Sequence, residues 1–578
     1  MEVKMAYDGI TMAAVHQELK QKLAGSRVDK IYQPSRYEIT LNLRNKNQAV
    51  LLVCSADPGL SRVHLSAVKQ ENPAAAPAFC MLLRKHLTGT RLTAVEQEGL
   101  ERVLTFTFTS LSEIGFYTKK YLICEITGKH ANLVLAVPRD DGELHILGSI
   151  RTVTESMSRH RLVMPGEIYI PPPPQEKLLL SQINEEELAC ALAGEDSNRP
   201  ELLLVSAVNG LGPETARELI FRAAGKEKLH PLEMVRSLTI QLRYLADIVR
   251  EGHFEPCIAR SPDGQVHTFA SLRLTRFPAE WLSLYPSVNE ALDAYYTQVH
   301  IQRREKHLKQ HLFQLTAGAY SRTDRKKKLQ EKELHEMQGA ERFRLYGEML
   351  VANLHQATGG NKEVEVINYY SPGQDTMLIP LNPAHSLQEN AQRYFKKYRK
   401  LKVGENIMQG RLLNTCQELD YLASLQSAIQ HADLESLLEI EEEMEQTGLI
   451  RSKKEKKQRP GNLSSPLHFI SADGIDIFVG RNNRQNDRLT LKLAADNDTW
   501  LHTKDIPGAH VIIKSPSPPP DTLHEAALFA ARYSRAAASS NVPVDYTLVK
   551  YVHKPKGAKP GMVIYDHQRS LFVTVDEK

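Results

Sequence analysis

Between Ser287 and Met444 the sequence carries a narrow apolar stripe in a strongly charged background, and this stretch restricts the possible fold severely. In its first limb Ile301, Leu308, Leu312, Leu315, Leu334, Met337 and Phe343 are spaced largely by helical three- and four-residue steps. Blocks such as Arg325 to Lys328 and Glu331 to Glu333 fill the gaps. That is the pattern of a helix with one thin buried seam, as in a coiled coil. A second limb from Ser386 to Met444 repeats it with Leu412, Leu419, Leu422, Leu425, Ile429, Leu438 and Met444. Between the limbs, Gly359-Gly360 and Ser371-Pro372-Gly373 bracket Glu363 to Ile367, which alternates like a strand. The spacing predicts a chain that runs out along one helix, builds a small middle piece at about 357–385 and returns antiparallel. About 55 helical residues rise about 80 Å. Such an arm suits a protein that touches distant points on a large partner; an oligomerisation coiled coil is the alternative.

The chain has 578 residues, enough for three or four domains. Its net charge is only +4, so distribution must decide whether a polyanion is bound. Basic residues cluster at Arg325 to Lys328, Lys396 to Lys402, Lys453 to Lys457 and Lys550 to Lys559. The six cysteines are far apart, with no C-x-x-C, which fits buried thiols in a reducing compartment and excludes a disulfide framework. No run approaches the roughly 20 apolar residues of a membrane span. No signal-peptide core follows Met1, and the expected location is cytoplasmic.

The expected fold class is multidomain α+β. Residues 1–175 read as an early helix from Met5 to Ala24, strands at Val28 to Gln33, Glu38 to Arg44 and Val50 to Cys54, a helix from Phe79 to Leu87, and further strands. The prolines Pro171 to Pro174 close this domain. Residues 176–281 contain a helix–hairpin–helix, in which Gly210-Leu211-Gly212-Pro213 joins two helices. The amides at Gly210 and Gly212 are candidates to hold a phosphate; a packing joint is the alternative. Asp263-Gly264 suggests a turn. The arm with its middle piece occupies 282–448, a basic linker 449–466, and a last α+β domain 467–578. That domain is expected to have strands at Ile475 to Val479, Thr490 to Ala494 and His510 to Lys514, then a helix from Glu525 to Ala538. There is no phosphate-cradling G-x-x-x-x-G-K-[ST] and no zinc cluster, so no cofactor, metal or catalytic nucleophile is expected.

Two blocks of the last domain, Val479 to Asp487 and Trp500 to Val511, resemble the RNA-binding module of the NFACT family, which includes bacterial RqcH-type ribosome quality-control factors. Phe79 to Leu87, Glu125 to Asn132, Asn390 to Tyr398 and Gly557 to Gly561 extend the likeness along nearly the whole chain, in family order. The resemblance makes Lys129, His130, Arg481, Asn482, Asn483, Gln485, Asn486, Asp487, Trp500, His502, Lys504 and His510 candidates for RNA contact. An aromatic plane such as Trp500 can stack a base, and cations can pair with phosphates. The alternatives are a core role for Trp500, a turn at Asn486-Asp487 and a metal role for His502 and His510.

The resemblance also implies a function. Proteins of this type bind a large (50S) ribosomal subunit with its 23S rRNA and a stalled peptidyl-tRNA. They recruit alanyl-tRNA and promote an untemplated alanine tail that marks the nascent chain for degradation. The ribosome makes the peptide bond, so the protein is an adaptor and not an enzyme. A small heat-shock-15-like S4-domain RNA-binding protein is an expected partner. The family's acidic residue followed by Arg, needed for tRNA handling, matches Glu101-Arg102, with Glu where Asp is usual. The family fold is akin to that of formamidopyrimidine-type DNA glycosylases, which use a Pro after the initiator Met and a zinc finger; Glu2 stands at that position here. A fibronectin-binding surface adhesin and a glycosylase-like repair protein are the competing readings.

Overall fold

The computed structural model describes residues 7–45, 48–111, 117–158, 160–193, 199–225, 230–262, 264–355, 361–371, 375–451 and 464–575. Gly359-Gly360, Pro372-Gly373, Asp263 of the expected turn and the basic run Lys453 to Lys457 lie outside them. The chain divides into two compact units, Met1–Ile301 and Gln302–Lys578.

The first unit is built on a nine-stranded antiparallel sheet. Its spatial order is Arg62–Ser66, Gln48–Ser55, Glu38–Asn45, Arg27–Ser35, Arg91–Gln97, Val103–Leu111, Tyr117–Glu125, Asn132–Pro138 and Leu144–Ser149. Strand residues such as Leu41, Leu52, Phe106 and Leu133 form a dry core with Met12, Val15 and Leu19 of helix α1 (Gly9–Leu23) and Leu83 of α2 (Ala78–Leu87). Helices α3 (Glu185–Leu192), α4 (Pro200–Ala207), α5 (Pro213–Ala224) and α6 (Pro231–Glu251) form a second core around Leu204, Leu219 and Leu242. The α4–α5 pair is the expected helix–hairpin–helix, with Pro213 at the first position of α5.

Helix α7 (Val288–Gln338) is 51 residues long. Its start is tied to α1 by Glu18, whose carboxylate accepts from the Val288 amide at 2.6 Å and from Asn289 Nδ2 at 2.7 Å. An acidic side chain at a helix N-terminus meets both the free amides and the helix dipole. In the second unit α7 and α8 (Glu341–Ala352) pack against α9 (Leu387–His431). Leu312 meets Tyr421 and Leu425, Gly404 faces Met337, and Gly347 faces Phe395. Rising numbers on one limb meet falling numbers on the other, so the limbs are antiparallel. Ser386 starts α9 with a reciprocal capping box to Glu389. Strands Glu363–Ile367 and Thr376–Pro380 make the middle hairpin.

After α10 (Leu434–Gln446), a six-stranded antiparallel sheet carries the last domain, ordered Leu467–Ile470, Asp476–Val479, Val511–Ile513, Thr499–Thr503, Val542–Leu548 and Arg569–Val573. Short α11 (Asn483–Arg488) precedes a helical turn at Leu489–Leu493, where a strand from Thr490 to Ala494 was expected. Asn482 caps α11 and commits the following residues to helix. The alanine-rich face of α12 (Pro520–Arg532) lies on the sheet through Ala526, Ala527 and Ala530.

Candidate nucleic-acid interface

In the first unit, three segments meet at the N-terminus of α1. Asp8 caps that helix, with Oδ1 accepting from the Thr11 amide at 2.8 Å. Its Oδ2 accepts from the Gly212 amide at 3.0 Å and the Thr215 hydroxyl at 2.5 Å. The Gly210 carbonyl accepts in return from the Gly9 amide at 2.9 Å. A carboxylate of the same chain already occupies the amide at Gly212, so that amide of the hairpin is not available to a phosphate. Burial raises the Asp8 pKa, and the hydrogen bonds from Thr215, Thr11 and Gly212 oppose that rise. The loop bearing Glu101 and Arg102 is wedged against this joint. A Cβ on Gly210, which sits at φ +83°, would lie 2.6 Å from Leu100 Cβ, so only glycine permits the approach.

Glu101 does not order Arg102 by a direct ion pair. Its carboxylate accepts from Asn209 Nδ2 of the hairpin at 3.0 Å. No hydrogen bond to the Arg102 guanidinium is seen among the described residues. Burial lowers the Arg102 pKa, while Asp8 and Glu101 pull it back up.

Arg102 lies on the wall of a cleft of about 830 Å³, together with Arg36, Tyr37, His130, Arg151 and Arg161. No carboxylate lines the cleft among the described residues. Two of the arginines, Arg151 and Arg161, are fixed from behind. Arg161 makes a two-pronged contact with Glu125, at 2.6 and 2.5 Å, and Glu125 is fully buried. The Tyr169 hydroxyl donates to the same carboxylate at 2.9 Å. Burial disfavours the Arg161 charge, but Glu125 outweighs it and raises the pKa. Arg151 donates to the carbonyl oxygens of Lys129 and Ala131 at 2.9 and 3.3 Å. Its guanidinium lies 5.5 Å from the Tyr37 ring centroid, and that of Arg36 lies 5.2 Å from the same ring. Glu125 neutralises Arg161, which frames the cleft; the Arg36 and Arg151 guanidiniums beside the Tyr37 ring suit phosphates and unpaired bases. Of the expected residues, Arg102 and His130 share this cleft; exposed Lys129 sits beside it in sequence.

The candidates of the last domain are placed differently. Arg481 pairs with Asp433 at 2.6 Å, and Asn482 and Gln485 donate to Glu439 at 2.6 and 3.2 Å. Asn483 donates to Glu443 at 3.2 Å. These residues fasten the domain to the acidic helix α10, and Asn482, Asn483 and Gln485 are buried in doing so. Asn486 receives the His510 amide at 3.1 Å; Asp487 pairs with Lys554 and accepts from the Gly561 amide. Trp500 is 0% exposed, packed with Leu489, Ile512 and Val552, so the expected stacking plane is corrected to a core residue. Burial drives the His502 pKa down to about 4 and that of His510 well below its ordinary value, so neither is a cation for phosphate. Lys504 keeps an exposed ammonium group.

Residues 8–462 match the NFACT N-terminal and middle domains, and residues 466–566 match the NFACT protein RNA binding domain. The chain is 38% identical over 574 residues to the Rqc2 homolog RqcH of Bacillus subtilis, covering 99% of this chain and 98% of that protein. It is 35% identical to the Rqc2 homolog RqcH of Streptococcus pneumoniae D39, over 99% of this chain and 98% of that one. Among solved structures, the N-terminal part of the fibronectin/fibrinogen-binding protein of Streptococcus suis is 28% identical over 50% of this chain and 99% of its own, with a TM-score of 0.41. No helix among the described residues is long and apolar enough to cross a membrane. The chain belongs to the NFACT family of RqcH- and Rqc2-type ribosome quality-control proteins and carries that family's RNA-binding domain.

Proposed function

We propose that this protein binds large ribosomal subunits that carry a stalled peptidyl-tRNA, recruits alanyl-tRNA and promotes alanine tailing of the nascent chain. Similarity to the RqcH proteins over almost the full length supports the reading. The observation that carries it is Arg102, set with Arg36, Arg151 and Arg161 in the wall of a cleft that no carboxylate lines among the described residues. Such a cleft has the charge and the aromatic surface for a folded RNA. The protein's part is positioning: it holds tRNA while the ribosome joins the amino acids. The 23S rRNA and a small S4-domain RNA-binding protein are the further partners in this reading. The test is binding of the purified full-length protein to deacylated alanine tRNA across a salt series. Affinity is expected to fall with a log–log slope of about −0.7 to −0.9 for each phosphate engaged. A flat response would contradict a phosphate-based interface.

A further inference from the structure

A second cavity, of about 190 Å³, lies in the second unit where the end of α9 and the start of α10 meet the last domain. It is lined by Ser427, His431, Asp433, Arg481, Asn483 and Tyr533, among others. Two of these carry unmet hydrogen-bonding groups. The Ser427 hydroxyl, on a residue only 4% exposed, has no protein partner among the described residues, and neither has the buried Arg481 Nε. Arg481 is nonetheless held in place, because its Nη1 binds Asp433 at 2.6 Å. A buried donor without an acceptor is costly and rare in a folded protein.

The cavity is far larger than the roughly 10–15 Å³ needed for one water. Asp433 neutralises the Arg481 charge, so the site does not favour a free anion. The rim is aromatic: His431 and Tyr533 stand edge to face with centroids 5.9 Å apart. Beside it, Lys309 Nζ donates to the Gln430 carbonyl at 2.5 Å and brings a cation next to His431. A flat, neutral, polar ring attached to a phosphate backbone satisfies all of these features. Unpaired bases of RNA are recognised in this way, by stacking and by edge hydrogen bonds.

We propose that this cavity takes one unpaired RNA base, turned out of its strand, against His431 and Tyr533 and within reach of Ser427 and Arg481. The inference rests on the RNA-binding reading above and adds a base-binding site in the second unit. The test uses the full-length protein and short random-sequence single-stranded RNAs carrying one photoreactive thiouridine or thioguanosine. Cross-linked peptides are identified by mass spectrometry. The expected result is cross-linking to His431 or Tyr533. Ser427→Leu, which fills the cavity, is expected to lower that yield about tenfold, the effect of losing one stacked base. Tyr533→Leu at the rim gives the same readout should Ser427→Leu fail to fold. Cross-links confined to other surfaces, or an undiminished yield in the filled variant, would overturn the base site alone. No cross-link anywhere would overturn it together with the RNA-binding reading.

Discussion

The Asp8 carboxylate lies 3.0 Å from the Gly212 amide, although 204 positions separate the two residues in the chain. One side chain thus caps α1 and closes the helix–hairpin–helix at the joint where the Arg102 loop is wedged. Asp8→Ala would orphan the Thr11 and Gly212 amides and the Thr215 hydroxyl. The expected cost is about 3 kcal/mol, from a lost cap and stranded donors. Urea unfolding of the full-length variant measures it, and an unchanged midpoint would contradict the role given to this residue.

Arg102 offers the opposite case. Its guanidinium makes no hydrogen bond among the described residues, so Arg102→Ala is expected to change stability by less than about 1 kcal/mol. Alanine tailing of a stalled reporter in cells is expected to be lost. Arg102→Lys keeps the charge but not the planar fork and should restore tailing only in part. Wild-type tailing by the alanine variant would remove Arg102 from the proposed site.

Glu443, held between Tyr421 and Asn483 at the α10 joint, makes stability depend on pH. Burial raises its pKa from an ordinary 4.5 to about 7. Between those values the folded protein keeps a proton that the unfolded chain has released. The contribution is therefore full below about pH 4.5 and is lost as pH rises through about 7, a swing on the order of 3 kcal/mol. Glu443→Gln retains an acceptor for both neighbours and cannot ionise. Its thermal midpoint relative to the parent is expected to be higher at about pH 8 than at about pH 5. The same difference at both pH values would contradict a raised Glu443.

What the sequence made legible follows from the range of the forces involved. The arm was readable because its stripe, its capping box at Ser386 and its charged faces are local signals. The helix–hairpin–helix was readable from Gly210, Gly212 and Pro213 for the same reason. The cleft was not: Arg36, Arg102, His130, Arg151 and Arg161 are scattered through the sequence and gather only when nine strands pair. Arg102 and His130 were reached by resemblance. The polar run from Arg481 to Gln485 resembles a surface for RNA, yet its amides are turned inward because Glu439 and Glu443, some 40 residues earlier, supply acceptors. Trp500 was ambiguous for the same reason, since only the folded sheet shows whether an indole faces core or solvent.

In the proposed function this protein works on RNA at the large ribosomal subunit. The measurement to make is purification of the tagged protein from growing cells and sequencing of the RNA that comes with it. Enrichment of 23S rRNA and one tRNA species, without 16S rRNA, is the predicted result, with alanine tRNA as the enriched species. Absence of any enriched RNA would rule out an RNA-directed role at the large subunit.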